Sequence, residues 1–389
     1  MRHSAILDIG SSKVICMVVS AESDGAIAVH GLSAVPYSGY RLGELPDKRA
    51  LAAAVGKALK SAADEARLRI REVCVGVSAP FMRVVTSEGR AAVASRDGRI
   101  SSADVEALLE NSLEGAEPEG YSLIHSTPVN YVVDGTSIVG SPIALPASEL
   151  TAVVSHCYVD NAYKAIVTGI LLSLGVEADM FISSALATAY FAIDEDIRAE
   201  SAVLIDCGGT HTDVSLIGGN ALVGCESIGM GGEHFTSDLC YGLRLPAATA
   251  DDIKKRYTFG LDYGDTSELV RIPGEGVFEI EHSLVQLIIE SRAEELCEMI
   301  RAACDRLHAG SSPVWLMGGG LALMRGADEF LEGQLGRKVN ITMPYMSRHS
   351  TVGYAAAFGL ADFALFRCGR TSALKNTGRR LLRSLDRHF

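Results

Sequence analysis

Two aspartates, each at the mouth of a glycine-bearing turn between apolar runs, are the residues of this 389-residue chain best suited to do chemistry. Asp8 opens the turn of AILDIGSSKVICMVV (Ala5 to Val19), and Asp206 opens that of AVLIDCGGTHTDVSLIGG (Ala202 to Gly219). Gly10 answers to Gly208, and the alternating β-branched residues on either side predict two strands of one hairpin in each copy. Small residues in such a turn let backbone N–H groups approach an anion, the arrangement called a nest. Two nests facing each other predict a grip on a nucleotide polyphosphate and its Mg²⁺ from both sides.

The elements that must hold these turns follow along the chain. Val29 to Val35 predicts a third strand, PDKRALAAAVGKALKSAADEARLR a helix starting near Asp47, and Val73 to Val77 a short buried strand. Arg83 to Val93 predicts a strand, then a helix from Ser102, whose hydroxyl caps it while Asp104 favours its first turn. Leu123 to Asn130, Ile138 to Leu145 and Leu150 to Tyr158 are strand-like, Asn161 to Leu174 reads as a buried helix, and SSALATAYFAIDED as another. Glu279 to Leu307 predicts a long helix covering a sheet through Leu284, Leu287, Ile288, Leu296 and Ile300. Val314 to Met317 is a strand entering Gly318-Gly319-Gly320, and YAAAFGLADFAL closes the globule as a helix. Strands and helices in this mixture predict an α/β architecture.

At 48% hydrophobic, the chain is long enough for two domains. It holds no apolar run of membrane-spanning length and starts directly in a strand, without a signal pattern, so synthesis and retention in the cytoplasm are expected. Nine Cys without a CxxC pair predict small core or strand residues in a reducing compartment. Net charge is −13, yet Arg367 to Phe389 holds seven basic residues against Asp386, a net +6 that leaves −19 for the body. An acidic body argues against nucleic acid as a partner, and a basic tip points to an anionic surface.

That tip, Gly378 to Phe389, reads GRRLLRSLDRHF after a short polar linker. At helical spacing Leu381, Leu382, Leu385 and Phe389 share one arc of about 100°, with Arg379, Arg380, Arg383 and Arg387 opposite. Its roughly 11 helical residues reach about 17 Å, too short to cross a bilayer, so it is expected to lie in the membrane interface.

The DIGSSKV turn, the DCGGTHTD turn and VWLMGGGLALMRG at Val314 to Gly326 resemble, in order and spacing, the two phosphate motifs and the adenosine motif of the actin, sugar-kinase and chaperone ATPase superfamily. HSTPVNYVVDG, PIALPASELTAVVSHCYVD and IGMGGEHFTSDLCYGLRLPAATADDIKKRY narrow the resemblance to the FtsA-type bacterial division proteins, through nearly the whole chain. The resemblance implies an actin-like two-domain ATPase fold with an inserted strand-helix-strand-strand subdomain and a C-terminal amphipathic helix. It divides the chain into 1–82 with 161–201, the insertion 83–160, a second domain 202–366, a linker 367–377 and the tip 378–389.

It further implies ATP and Mg²⁺ as ligands. Asp8 and Asp206 would hold Mg²⁺ mostly through water, since a small hard cation keeps its hydration shell. Gly10, Ser11, Ser12 and Lys13 match the first phosphate turn, and Gly208, Gly209 and Thr210 the second. Gly318, Gly319, Gly320 and Leu321 match the adenosine side, and Gly231, Gly232, Glu233 and Lys254 positions lining the nucleotide. The implied activity is a membrane-tethering, polymerising adaptor at the division site, peripheral on the cytoplasmic face of the inner membrane. It would bind the C-terminal peptide of FtsZ through a groove within Phe235 to Arg301, with Arg292 and Arg301 meeting its acids, along with other division proteins and anionic lipid.

Two departures stand against the family pattern. Thr210 replaces a third glycine, which narrows the approach to phosphate, and His211 replaces a threonine and reads as a solvent-facing turn residue. SSALATAY lacks the Gln or Glu that orients water in brisk actin-like ATPases, which implies binding with slow hydrolysis at most. A PilM-type pilus-assembly adaptor and a small-molecule kinase or phosphatase of the same superfamily remain alternatives. The amphipathic tip favours the division protein over the pilus adaptor.

Overall fold

The computed structural model describes residues 3–23, 25–38, 42–45, 47–138, 140–272, 274, 276–344 and 351–367. The tip at 378–389, and its linker beyond Arg367, lie outside the described residues.

The first hairpin forms as its apolar alternation requires. Strands β1 (His3–Ile9) and β2 (Lys13–Ala21) pair antiparallel, β3 (Ile27–Pro36) pairs with β2, and helix α1 (Lys48–Ala66) follows. Asp47 caps α1 by accepting from the Arg49 and Ala50 N–H groups, otherwise unpaired donors of the first turn. Strand β4 (Glu72–Val77) then enters the sheet parallel to β1.

The chain next leaves this sheet for a separate lobe. Strand β5 (Met82–Ala92), helix α2 (Ser102–Ser112), and strands β6 (Tyr121–Val133), β7 (Thr136–Ile138) and β8 (Glu149–Asp160) form a sheet of order β5-β8-β6-β7 with its own core, including Ile100, Leu108, Leu150 and Val154. The cap of α2 is Ser101, not Ser102: Ser101 Oγ accepts from the Asp104 N–H while the Asp104 carboxylate accepts from the Ser101 N–H. Of the expected strand Ile138 to Leu145, Ile138 ends β7; among the described residues beyond it Ala144 and Leu145 exchange backbone hydrogen bonds with Ile100 outside any strand, in a turn with prolines at 142 and 146. Helix α3 (Asn161–Ser173) is amphipathic rather than buried, hiding Tyr163, Val167 and Leu171 and leaving Leu172 at 59% exposure. Strand β9 (Glu177–Ser183) completes the first sheet, β3-β2-β1-β4-β9, and helices α4 (Ser184–Ala192) and α5 (Glu195–Glu200) follow.

The second half repeats this plan. Strands β10 (Ala202–Cys207), β11 (Thr212–Gly218) and β12 (Ala221–Ile228) are antiparallel neighbours. Helices α6 (Gly232–Leu243) and α7 (Ala247–Arg256), the two-stranded ribbon β13 (Ser267–Ile272) and β14 (Gly276–Glu281), and helix α8 (His282–Arg306) follow. Strand β15 (Val314–Met317) joins β10 in parallel, and helix α9 (Ala327–Leu335) leads to β16 (Val339–Ile341). The order β12-β11-β10-β15-β16 is that of the first sheet, strand for strand.

Helix α8 buries Val285, Ile289, Ala293, Leu296, Cys297 and Ile300, so the expected Leu296 and Ile300 lie in the core while the stripe over its first turns is rotated from the predicted one. Leu284 and Leu287 face outward at 38% and 63% exposure, and Glu279 to Glu281 belong to β14. Helix α10 (Ala355–Asp362) crosses back to the first half. Its Phe358 and Leu360 are buried in the first core with Ile6, Leu7 and Val75, worth about 1.5–3 kcal/mol each relative to exposure. A Cβ on Gly359 would lie 2.6 Å from the Thr188 Cα, so glycine lets α10 and α4 meet backbone to backbone between the halves.

Candidate functional site

The repeated sheets place the two aspartate turns at equivalent ends of equivalent hairpins. Ile9 pairs with Val14 and the Gly10 N–H donates to the Lys13 carbonyl at 3.0 Å; Cys207 pairs with Thr212 and the Gly208 N–H donates to the His211 carbonyl at 2.9 Å. The two turns are therefore the same turn built twice, and they meet. The Thr210 N–H donates to Ser11 Oγ at 3.2 Å, and a Cβ on Gly209 would lie 3.0 Å from the Ser12 Cβ. Ser11 is buried.

Burial sets the electrostatics. Desolvation raises the Asp8 carboxyl to about 6 against the pull of Lys13, and raises Asp206 to about 7, with Asp213 and Asp8 adding to it and His211 and Lys13 opposing. The Lys13 ammonium is itself pushed down by burial while Asp8 and Asp206 hold it up, and it lies 4.9 Å from the centre of the Tyr354 ring. His211 corrects the expectation of a solvent-facing turn residue: it is only 5% exposed. Its Nε2 is 3.6 Å from Asp213 Oδ2, and the fields of Asp213 and Asp206 outweigh burial and raise its pKa. Asp213 in turn accepts from Ser227 Oγ at 2.6 Å and, across the halves, from the Ala79 N–H at 3.3 Å. Neither acid nor histidine announced this in sequence beyond the His-x-Asp spacing, which puts both side chains on one face of an extended chain.

Glycines close the second-half side of the site. Gly318 has φ +88°, and a Cβ there would meet Asp206 Oδ1 and the Cys207 carbonyl, each at 2.3 Å. A Cβ on Gly320 would be 2.2 Å from the Gly208 carbonyl, one on Gly231 2.7 Å from the Gly208 and Gly209 carbonyls, and one on Gly232 2.6 Å from the Gly320 Cα. The Gly232 and Glu233 N–H groups donate to the Gly208 and Gly209 carbonyls at 2.9 and 2.8 Å. Three backbone segments thus pack directly on one another behind the second turn. At Gly319 the nearest atom a Cβ would approach is Leu323 Cδ1, at 3.6 Å, so this glycine borders space.

The remaining candidates divide. The exposed Glu233 comes close to the turn, its Oε1 lying 3.0 Å from where a Gly209 Cβ would be. Lys254 is buried and committed within the second half, its Nζ reaching the Gly232 carbonyl, Thr236 Oγ1 and Asp251 Oδ1 at 3.1, 2.8 and 2.7 Å, so it braces the glycine segment. Leu321 is fully buried in the second core and contributes packing. In α4, where a water-orienting acid or amide was absent from the sequence, Ser183 caps the helix.

The outer part of the second half carries exposed apolar side chains: Tyr241 on α6 at 91%, Leu287 on α8 at 63%, and Leu269 and Val277 on the ribbon at 75% and 61%. Arg292 is already engaged there, by Asp238 at 2.5 and 3.0 Å and Glu295 at 2.5 Å, while the exposed Arg301 donates to the Gln334 carbonyl. Among the described residues no helix is long and apolar enough to cross a membrane.

Two family models match the chain. One, described as cell division protein FtsA, covers residues 203–359; the other, the SHS2 domain inserted in FtsA, covers residues 82–157. The chain is 28% identical to the cell division protein FtsA of Pseudomonas aeruginosa over 351 residues, 87% of this chain and 82% of that protein. With FtsA of Bacillus subtilis it shares 24% over 368 residues, 92% and 82% of the two chains. Among solved structures, a chain of the PilM-PilN type IV pilus biogenesis complex superposes with TM-score 0.62 at 17% identity, covering 92% of this chain and 97% of that one. MreB 5 of Spiroplasma citri bound to AMPPNP superposes with TM-score 0.53 at 15% identity over 93% and 96%. These likenesses show the fold, and the sequence matches go further: the chain belongs to the FtsA family of cell division proteins, with a mixed α/β actin-like fold.

Proposed function

We propose that this FtsA-family chain binds Mg²⁺-ATP between its two aspartate turns and acts as a polymerising adaptor that tethers FtsZ to the cytoplasmic face of the inner membrane at the division site. The observation that carries the nucleotide reading is the twin hairpin: two nests of identical register, in contact across the halves, each with a half-buried carboxylate. Two carboxylates whose desolvation Lys13 and His211 offset only in part fit a divalent cation, which would supply the missing positive charge and bridge to phosphate oxygens. In this reading Asp8 and Asp206 hold the cation's water shell, Ser11, Ser12 and the Gly208–Thr210 backbone face the phosphates, and the Gly318–Gly320 segment faces the adenosine. MreB 5 of Spiroplasma citri, with the same fold, was solved with AMPPNP and with ADP. The domain division that goes with this reading is 1–82 with 161–201, an inserted 83–160, and 202–366.

Hydrolysis is slow in this account. Phosphoryl transfer depends on positioning an attacking water, and α4 offers Ser183 and Ser184 rather than an acid or amide where that water would be oriented. Calorimetry with ATP and Mg²⁺ tests the site: Asp8→Ala is expected to weaken binding by about 2 kcal/mol or more, as for other lost buried charge partners. Unchanged affinity would sink the nucleotide reading, and turnover of about 10 s⁻¹, ordinary for enzymes, would favour the kinase alternative.

The exposed face around Tyr241, Leu269, Val277 and Leu287 supports the partner part of the proposal, as a seat for the apolar residues of the FtsZ C-terminal peptide. With Arg292 already paired, this role falls to apolar contacts more than to charge. Tyr241→Ala with Leu287→Ser is expected to abolish co-sedimentation with FtsZ polymers, which should also be lost when FtsZ lacks its C-terminal peptide.

A further inference from the structure

The end of the first sheet remote from the aspartate turns carries an exposed surface that the proposed nucleotide and FtsZ sites leave unused. Strands β1, β4 and β9 run parallel and Asp8 lies near the C-terminal end of β1, so the N-terminal ends of β4 and β9 are at the opposite end of the sheet. Two short connections meet there. Arg67-Leu68-Arg69-Ile70-Arg71 leads from α1 into β4, and Leu172-Ser173-Leu174-Gly175-Val176 closes α3 and leads into β9. The Glu177 N–H donates to the Arg71 carbonyl at 2.9 Å, and a Cβ on Gly56 of α1 would lie 3.3 Å from Leu174 Cδ2, so the two connections are neighbours. Backbone bonding holds both in shape. Arg67 sits at φ +53° with the Leu68 N–H on the Ala63 carbonyl at 3.0 Å, and Gly175 sits at φ +71° with the Val176 N–H on the Leu171 carbonyl at 3.0 Å, the helix-ending turn of the Schellman kind in each case.

These ordered turns present apolar side chains to solvent. Leu68, Leu172 and Leu174 are 37%, 59% and 43% exposed. A single exposed leucine is ordinary on a protein surface, but three on adjacent turns form a patch. Residues 165–176 hold no charged side chain, although Ala165, Gly169 and Ser173 are exposed with the leucines, where the outer face of a solvated helix carries charge. The charge comes from the neighbouring turn instead. Arg67, Arg69 and Arg71 are exposed, none has an ion pair among the described residues, and neither connection holds an acid before Glu72 and Glu177 open the strands. A local net of +3 therefore stands on a body of net −19. Leucines beside guanidinium groups fit an anionic bilayer: the apolar side chains enter the interface while the cations stay at the level of the headgroup phosphates. A second copy offering the same face would set the three arginines against their own like charges, which disfavours a self-complementary contact.

We propose that this face, Leu68, Leu172 and Leu174 with Arg67, Arg69 and Arg71, is a second membrane-contact surface that lies on anionic lipid. The inference rests on the reading of the chain as a peripheral membrane protein and adds to it a contact made by the folded body, apart from the tip at 378–389. Because both turns are already fixed by backbone hydrogen bonds, contact with lipid orders little that was free. With this face on the bilayer, the Asp8 turn is at the far end of the sheet and points away from the lipid.

Fluorescence and sedimentation of the full chain with vesicles of phosphatidylcholine alone, and of phosphatidylcholine with phosphatidylglycerol, test the surface. Trp315, the one native tryptophan, is buried, so the indole introduced by Leu172→Trp reports on the patch. Its emission is expected to shift to the blue on phosphatidylglycerol vesicles and to stay in place on phosphatidylcholine alone. Arg67→Gln, Arg69→Gln and Arg71→Gln together are expected to lower affinity for the anionic vesicles about tenfold or more, with melting unchanged because all three side chains are exposed. Emission that ignores both kinds of vesicle, with sedimentation intact in the arginine variant, leaves the tip as the anchor and overturns the proposal. Equal shifts on the two kinds of vesicle overturn the anionic assignment, and a shift that follows protein concentration without lipid assigns the face to a second copy and overturns it too. Leu385→Glu keeps the two membrane readings apart: if it sediments as wild type does and the blue shift is retained in its background, the tip fails and this surface stands. Should the arginine variant fail to fold, Leu172→Trp carries the test alone.

Discussion

The two halves of this molecule share a five-stranded sheet of one order and differ in nearly everything attached to it. The first half places its extra lobe, β5 to β8 with α2, between β4 and β9; the second places α6, α7 and the β13–β14 ribbon between β12 and α8. Beyond the sheet, the two halves share the hairpin turn with its aspartate, and even there the side chains differ. The first turn is Ser11-Ser12-Lys13, with hydroxyls and an ammonium; the second is Gly209-Thr210-His211, backed by glycine segments packed backbone on backbone. In the proposed nucleotide site one turn would offer side chains to a phosphate, and the other mainly main-chain N–H groups on a rigid support. The comparison teaches that the register of the turn is the invariant and its side chains are the variable.

The comparison breaks most sharply at Asp206. A half-buried carboxylate that desolvation raises to about 7 costs stability in the absence of a cation, so Asp206→Asn is expected to stabilise the nucleotide-free protein by about 2 kcal/mol while abolishing the Mg²⁺ dependence of ATP binding. Denaturant unfolding and calorimetry read the two effects; a destabilised Asn variant would show that the carboxylate has a hidden partner. Asp8→Asn, at a group raised only to about 6, is expected to give a smaller gain of the same sign.

Glycine substitution separates the halves next. Gly320→Ala forces a Cβ to 2.2 Å from the Gly208 carbonyl, and overpacking of this kind costs about 1–3 kcal/mol. Gly10→Ala meets only the Lys13 carbonyl at 3.1 Å, so its loss is expected to be the smaller of the two. Equal changes in melting temperature would mean that the second turn has no stiffer support than the first.

The pH dependence is expected to be gentler. Asp8 and Asp206 have folded pKa values of about 6 and 7 against an ordinary 3.8, so the folded state holds the extra protons. Stability contributed by these groups is then greatest near pH 4, falls as pH rises towards 7, and is flat above it. Melting without nucleotide or Mg²⁺ is expected at lower temperature near pH 8 than near pH 6, with Asp206→Asn removing the larger part of the difference. The smallest effect on the fold belongs to the tip. Leu385→Glu puts a charge in the apolar stripe of a segment joined by a polar linker, and is expected to leave melting unchanged while releasing the protein from anionic liposomes. Sedimentation with liposomes as in wild type would remove the membrane anchor from the proposal.

Where sequence reading reached and where it stopped follows from the range of the forces involved. The hairpins, the strand after α1 and the start of α1 near Asp47 were legible because alternation and helix-start signals are local. The burial of His211 was not, because its partner Asp213 is held in place by Ser227 and, 134 positions upstream of that aspartate, by the Ala79 backbone. The first turns of the α8 core stripe were misread for a related reason, though Leu296 and Ile300 were placed correctly: Leu284 and Leu287 fit an apolar period, but the core beneath takes Val285, Ile289 and Ala293. Local pattern reports that a stripe exists, and the neighbour decides which stripe is covered. Arg292 shows the same limit for charge, since its partner Asp238 is 54 residues away.

The central claim is that one polyphosphate is held jointly by both turns, and a crystal structure of the complex with Mg²⁺ and a non-hydrolysable ATP analogue tests it most directly. The account predicts phosphate oxygens within about 3 Å of donors from both the Gly10–Lys13 and the Gly208–His211 turns, with the cation's waters on Asp8 and Asp206. A nucleotide bound to one turn alone, with the other turn still closed on it through Ser11 and Thr210, would contradict it.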